Sequence, residues 1–169
     1  LTIDPDNPIV NLALHDYYSA QGKNGEAFEY LKKAFINPEL EVTTKANIAL
    51  SFYNRALEFN DIKTREEGFE LAKIMLRVHK NAPESNAIYA DYLLLNKNTK
   101  EAATFYYLAT IQDQRNYKTW GKLLMTEYEA GLFDSLERHS FRAMELFPSQ
   151  ASAYLYNGIS NKKKKNYRK

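Results

Sequence analysis

Residues 117–148 read YKTWGKLLMTEYEAGLFDSLERHSFRAMELFP. Within this stretch Trp120 and Leu123 fall one helical turn apart and Gly131 breaks the chain. Phe133, Leu136 and Ala143 follow, with one turn between the first pair and two turns between the second, and Pro148 closes it. Helical periodicity, a glycine break, renewed periodicity and a terminal proline predict two helices joined by a tight turn. The same marks recur outward. Leu136 and Ala143 have counterparts 34 residues upstream in Ala102 and Ala109, and 34 further in Gly68 and Met75. One step earlier the pair is Ala27 and Ala34, now 41 residues away. Self-similarity at such a period marks stacked helix–turn–helix units.

The repeat divides the chain, as one array over 1–169, into units of about 8–41, 42–82, 83–116 and 117–150, with a partial unit at 151–169. Pro8 after Asp6-Asn7 opens a first helix that ends near Gln21-Gly22. Asn24-Gly25 reads as a turn, and Glu26–Ile36 as the second helix, with Ala27, Leu31 and Ala34 on one stripe. Pro38 closes this pair, because proline cannot extend the hydrogen-bond ladder. The second unit carries seven extra residues, about two helical turns. They predict one long helix over Val42–Phe59, with Ile48, Phe52, Ala56 and Phe59 facing inward, and a partner over Glu66–His79. The remaining helices are expected at Ser85–Leu95, Lys100–Ile111, Tyr117–Ala130, Ser135–Phe147 and Ala151–Asn161. This makes nine helices and no strand. Asn166 to Lys169 reads as a turn before a further helix.

Trp120, Leu123, Gly131, Phe133, Ala143 and Pro148 resemble the tetratricopeptide repeat, which orders an aromatic, Leu-Gly and Tyr on a first helix, then Ala, an aromatic and Pro on a second. Tyr154 and Gly158 repeat part of the pattern, as do Ala90, Ala102, Tyr106 and Ala109. The resemblance covers roughly residues 8–169. Leu124, Ser140 and Leu136 depart from the usual Gly, aromatic and Ala. The resemblance implies an all-α, right-handed superhelical solenoid of antiparallel helix pairs. It also implies a concave groove, lined by the first helix of each pair, that holds a peptide or protein segment. Such proteins are scaffolds and adaptors, so no enzyme activity is expected.

Composition agrees with a binding role. The chain has 169 residues, 44% hydrophobic and 26% charged, with 13 Tyr against 9 Phe. Tyr packs an apolar body and keeps a polar tip, which suits half-buried helix faces. A net charge of +2 argues against nucleic acid as the default partner. With no cysteine, disulfides, thiolate catalysis and Cys-based metal sites are excluded. His15, His79 and His139 lie in different units without metal-ligand spacing. No phosphate loop or nucleophile motif is present. No catalytic residue, cofactor, metal or small-molecule substrate is therefore expected. The pairs Glu66-Glu67 and Glu127/Glu129 sit on helix faces and are expected to have ordinary acidity. No apolar run is long enough to span a bilayer, and no leader is visible. A soluble protein is expected, either cytoplasmic or exported to a bacterial cell envelope.

Outward positions on the first helices give the candidate peptide-binding set: Asp16, Tyr53, Asn54, Asp91, Lys118, Lys122, Tyr128 and Tyr156. Tyr and Asn suit contact with an extended backbone. The family's chaperone-tail subclass clamps a terminal carboxylate with Lys and Asn. Lys118 and Lys122 supply one part of that clamp, but Tyr53, Leu57 and Asp91 stand where its other residues are needed. Trp120 is read as core rather than ligand anchor. The run Lys162–Lys165, with Arg168 and Lys169, is read as a solvated basic turn. Two other roles remain open: a structural or regulatory segment of a larger repeat protein without its own ligand, and a weak contact of the lysine run with nucleic acid or anionic lipid. Ala153, Tyr154, Leu155, Tyr156 and Ile159 make the last helix apolar on more than one side, which predicts self-association through 151–161.

Overall fold

Three helix starts are capped by a polar side chain just ahead of them. The Asn7 side chain accepts from the backbone of Ile9 and Val10, ahead of Pro8 at the first helical position. Asp61 accepts from Lys63 and Thr64, and Asn116 from Thr119. These contacts satisfy donors that have no partner inside the helix. A computed structural model describes residues 4–167, with side chains to Lys163. Among the described residues there are nine helices and no strand: α1 Pro8–Ala20, α2 Asn24–Ile36, α3 Val42–Phe59, α4 Ile62–Val78, α5 Pro83–Leu95, α6 Thr99–Gln112, α7 Tyr117–Glu129, α8 Phe133–Leu146 and α9 Ala151–Tyr167.

The chain forms two compact units, Leu1–Tyr92 and Leu93–Lys169. In the first, α1 packs on α2, α3 on α4, and α2 on α4. Its core is Leu31, Phe35, Ala49, Phe52, Leu71, Met75 and Tyr92. In the second, α7 packs on α6, α8 and α9, and α8 packs on α9. Its core joins Tyr106, Trp120, Leu123, Leu124, Leu136, Ala143 and Ala153. Ala27, Ala34, Ala102, Ala109 and Ala143, the residues that mark the repeat, are all buried. The departures Leu124, Leu136 and Ser140 are buried as well.

Several expectations need correction. Asn24-Gly25 is the first turn of α2. The actual turn lies at Gly22, whose φ of +72° suits glycine. The seven extra residues do not all enter α3. At 18 and 17 residues, α3 and α4 are each about one turn longer than the 13-residue α1 and α2. α4 therefore starts at Ile62 instead of Glu66, capped by Asp61. The lengthened hairpin carries Phe59 to its tip, where it is 68% exposed and not part of the inner face. The lysine run is not a turn either. α9 continues to Tyr167, with no proline to stop it and Gly158 carried within the helix. Lys162 and Lys163 are exposed on it. The side chains of Lys164 and Lys165, and all of Arg168 and Lys169, lie outside the described residues.

One position recurs through the repeat with a shared chemistry. Asn11, Lys45, Asn86, Trp120 and Tyr154 follow one another at the repeat spacing. Each donates a side-chain N–H or O–H to a carbonyl in the segment before its own helix. Asn11 reaches Pro5 at 3.0 Å, Asn86 reaches Lys80 at 3.0 Å, Trp120 reaches Gln114 at 3.2 Å and Tyr154 reaches Pro148 at 3.1 Å, always six residues back. Lys45 reaches Asn37 at 2.8 Å. A carbonyl left bare by the turn is thus bonded from within the next helix, and each connection is fixed to its unit.

Lys45 is fully buried, and its Nζ also donates to Nε2 of His79 at 2.7 Å. Burial lowers the Lys45 pKa to about 8. Burial, and then the Lys45 charge, lower that of His79. Both folded-state values lie below the ordinary ones, so the folded state resists protonation. Stability attributable to Lys45 should therefore be lowest below pH 8 and rise between about pH 8 and the ordinary lysine value of 10.5. Denaturation of the wild type and Lys45→Met at successive pH values checks this. The wild type should gain on the variant across that window, and a constant difference would show that Lys45 titrates normally.

Candidate functional site

The first unit holds a cleft of about 560 Å³ at α1 and α3. Leu12, Phe28, Ile48 and Phe52 give it apolar walls. Polar groups surround them: Asp16 and Ser19 from α1, Ser51 and Arg55 from α3, and Lys63 and Glu67 from the lengthened start of α4. His15 is oriented by its Nδ1, which donates to the Ala27 carbonyl at 3.0 Å. Arg55 lies over the Phe52 ring, 6.0 Å from its centroid. Glu67 is half-buried and pairs with Lys63 at 3.7 Å. Burial raises its pKa, against the ordinary acidity expected of the Glu66-Glu67 pair.

Of the candidate residues in this unit, Asp16 is exposed and lines the cleft. Asn54 is exposed on α3, outside the cleft lining. Tyr53 is half-buried and packs edge-on against Tyr92, with centroids 5.5 Å apart. Asp91 corrects the outward assignment: it is 4% exposed, near enough to Tyr53 and Tyr92 for its charge to help raise both hydroxyl pKa values after burial. Helical register gives a residue's direction but not what packs over it. The structure thus brings Tyr53 and Asp91 together, and places Asp16 in the cleft.

In the second unit Lys118 is exposed and Lys122 is half-buried, its Nζ 5.7 Å from the centre of the Tyr106 ring. Tyr128 and Tyr156 pack at 6.0 Å, a contact between α7 and α9 that joins two more of the candidates. Burial raises the Tyr156 pKa. The indole of Trp120 is 4% exposed, as its core reading requires.

Glu127 differs from expectation. It is 2% exposed, and burial raises its pKa although the neighbouring His139 works the other way. A helix-face position predicts ordinary acidity only while nothing covers it, and α8 covers Glu127 through His139. His139 Nδ1 lies 2.6 Å from Glu127 Oε1. Twelve residues separate the two on different helices, so no local spacing rule announces the contact.

Among the described residues no group of three or more His, Cys, Asp or Glu could hold a metal ion, and no helix is long and apolar enough to cross a membrane.

No protein-family model matches the chain, and no curated protein matches it in sequence. Solved structures match in fold. YrrB, described as a TPR protein with an unusual peptide-binding site, aligns over 96% of this chain and 80% of its own, with a TM-score of 0.62 at 16% identity. MamA aligns over 95% and 84%, with a TM-score of 0.58 at 14% identity. A mutant form of MamA aligns over 95% and 90%, with a TM-score of 0.61 at 11% identity. The chain has the all-α tetratricopeptide-repeat fold.

Proposed function

We propose that this chain is a non-enzymatic protein-interaction scaffold that takes a peptide segment of another protein onto its first helices. The observation that carries the reading is the α1–α3 cleft, with apolar walls beneath a polar margin. Apolar surface gives such a site its affinity, and a few placed polar groups give it orientation. Asp16 lines this cleft. Tyr53 and Asn54 on α3 are further candidate contacts in the first unit, while Lys118, Lys122, Tyr128 and Tyr156 offer a polar and aromatic face in the second. YrrB, similar in fold, is described as having a peptide-binding site.

Selection of a displayed random-peptide library on the whole chain tests the reading. Ser51 is exposed at the cleft margin, so Ser51→Arg should fill the cleft without disturbing the core. Selected peptides should bind this variant at least about tenfold more weakly, or about 1.4 kcal/mol. Peptides that bind wild type and Ser51→Arg equally would place recognition elsewhere.

A further inference from the structure

The second unit carries a separate cleft, on α6 and α8, whose charge is of one sign. It measures about 290 Å³. Arg138, His139 and Arg142 line it from α8, and no carboxylate does. Tyr107, Ile111 and Trp120 form its apolar side. The cleft at α2 and α4 in the first unit is different, because there Lys32 is bridged to both Glu29 and Glu70.

The basic groups of the α6–α8 cleft are held in place. Nδ1 of His139 is tied to the buried carboxyl of Glu127, whose pKa burial raises, which leaves Nε2 for a ligand. Nε2 donates to a carboxylate when it carries a proton, either in the imidazolium or in the tautomer whose Nδ1 accepts from protonated Glu127. Tyr107 stacks on the same ring at 4.4 Å. The imidazole is thus fixed at one edge and one face, and a fixed donor loses little freedom on binding. Arg138 and Arg142 are one helical turn apart and both exposed. Arg142 pairs with Glu145 at 3.0 Å, but both side chains are half-exposed, and such pairs are weak competitors for a better-placed anion. The buried Glu127 is costly, since its Oε2 has no hydrogen-bond partner. An apolar pair would fill the same space without that cost. What Glu127 does supply is orientation of the histidine beside two arginines.

We propose that the α6–α8 cleft is an acidic-residue subsite: it takes one Glu or Asp side chain of a partner protein on Arg138, His139 and Arg142, with an adjacent apolar residue against Tyr107 and Ile111. Charge selects an anion. At about 290 Å³ the cleft lies at the small end of ligand clefts, with room for an acidic side chain and an apolar neighbour. The exposed rings and methyls of Tyr107 and Ile111 supply the apolar contact that a free anion would not use.

The test is a titration of the full chain, observed at the His139 ring and the Trp120 indole N–H by NMR. The probes are acetyl-Leu-Glu-Leu-amide, its Gln counterpart and inorganic phosphate. The Glu peptide should shift both signals saturably, and the Gln peptide should bind about tenfold more weakly, as expected when charge-assisted hydrogen bonds are lost. Arg138→Gln with Arg142→Gln should lose the Glu-peptide response while melting normally, since both side chains are exposed. Ser51→Arg should leave it intact, so failure here is distinct from failure of the α1–α3 cleft. Equal binding of the Glu and Gln peptides would overturn the proposal, as would a response that survives loss of both arginines. Phosphate binding tighter than the Glu peptide would also overturn it, in favour of a free-anion site.

Discussion

Gly68→Ala is expected to destabilise the first unit by about 4 kcal/mol, combining overpacking with loss of a buried hydrogen bond. A methyl group at position 68 would lie 2.0 Å from the Tyr92 hydroxyl, 2.7 Å from its Cζ and 2.9 Å from Phe52 Cβ. None of these atoms can retreat cheaply. Tyr92 is fully buried, and its hydroxyl donates to the Ala49 carbonyl at 2.8 Å. Its ring also stacks on Phe69 at 6.0 Å and meets Tyr53 edge-on. Relieving the clash therefore means moving Tyr92 off a buried bond and out of an aromatic cluster. Urea denaturation followed by circular dichroism measures the effect. Tyr92→Phe removes the nearest clashing atom but leaves Cζ and Phe52 in place. The Gly68→Ala, Tyr92→Phe double variant should thus lose less than the sum of its single variants without returning to wild type. A Gly68→Ala variant as stable as wild type would mean that Tyr92 on α5 and Phe52 on α3 can both move off α4 at this point.

Gly68 also shows what the sequence made legible. The 34- and 41-residue register picked it out as a repeat position, and the structure shows why a small residue stands there, with Tyr92 and Phe52 against it. The fold was readable because its signals are local: Asn7-Pro8, Gly22, Gly131 and Pro148 end or begin helices through their own backbone preferences. The lengthened hairpin was readable as an excess of seven residues but not as one turn on each helix. Ile62, exposed at the start of α4, breaks the apolar pattern that would have marked that start. Asn11, Lys45 and Asn86 were missed as interior positions because their residue types suggest solvent. The register from Trp120 would have found them, had the shared property been read as a hydrogen-bond donor and not as an aromatic ring. The candidate site was less legible. Register gave directions for the eight contact residues, but the burial of Asp91 and the packing of Tyr53 on Tyr92 depend on neighbours distant in sequence. The pairing of Glu127 with His139 carries no spacing signal at all.

Trp120→Ala is expected to cost the second unit about 3–5 kcal/mol, the usual range for deleting a large buried aromatic. Two separate losses make up that figure. One is the body of the indole, which packs in the core shared by α6, α7 and α8. The other is its N–H, which holds the Gln114 carbonyl and so anchors the turn between α6 and α7. Trp120→Phe separates them. Phenylalanine keeps most of the buried area and loses the donor. Gln114 is exposed, so water can bond its freed carbonyl, and this variant should cost well under half as much. Urea denaturation by circular dichroism orders the three proteins as wild type, Trp120→Phe, Trp120→Ala. If Trp120→Phe proved as damaging as Trp120→Ala, the turn bond and not the core would be what the indole supplies. The repeat would then be held at each unit by the donor common to Asn11, Lys45, Asn86, Trp120 and Tyr154. A loss below about 0.5 kcal/mol for Trp120→Ala, typical of surface positions, would instead mean the indole lies outside the core and is free to contact a ligand in the α6–α8 cleft.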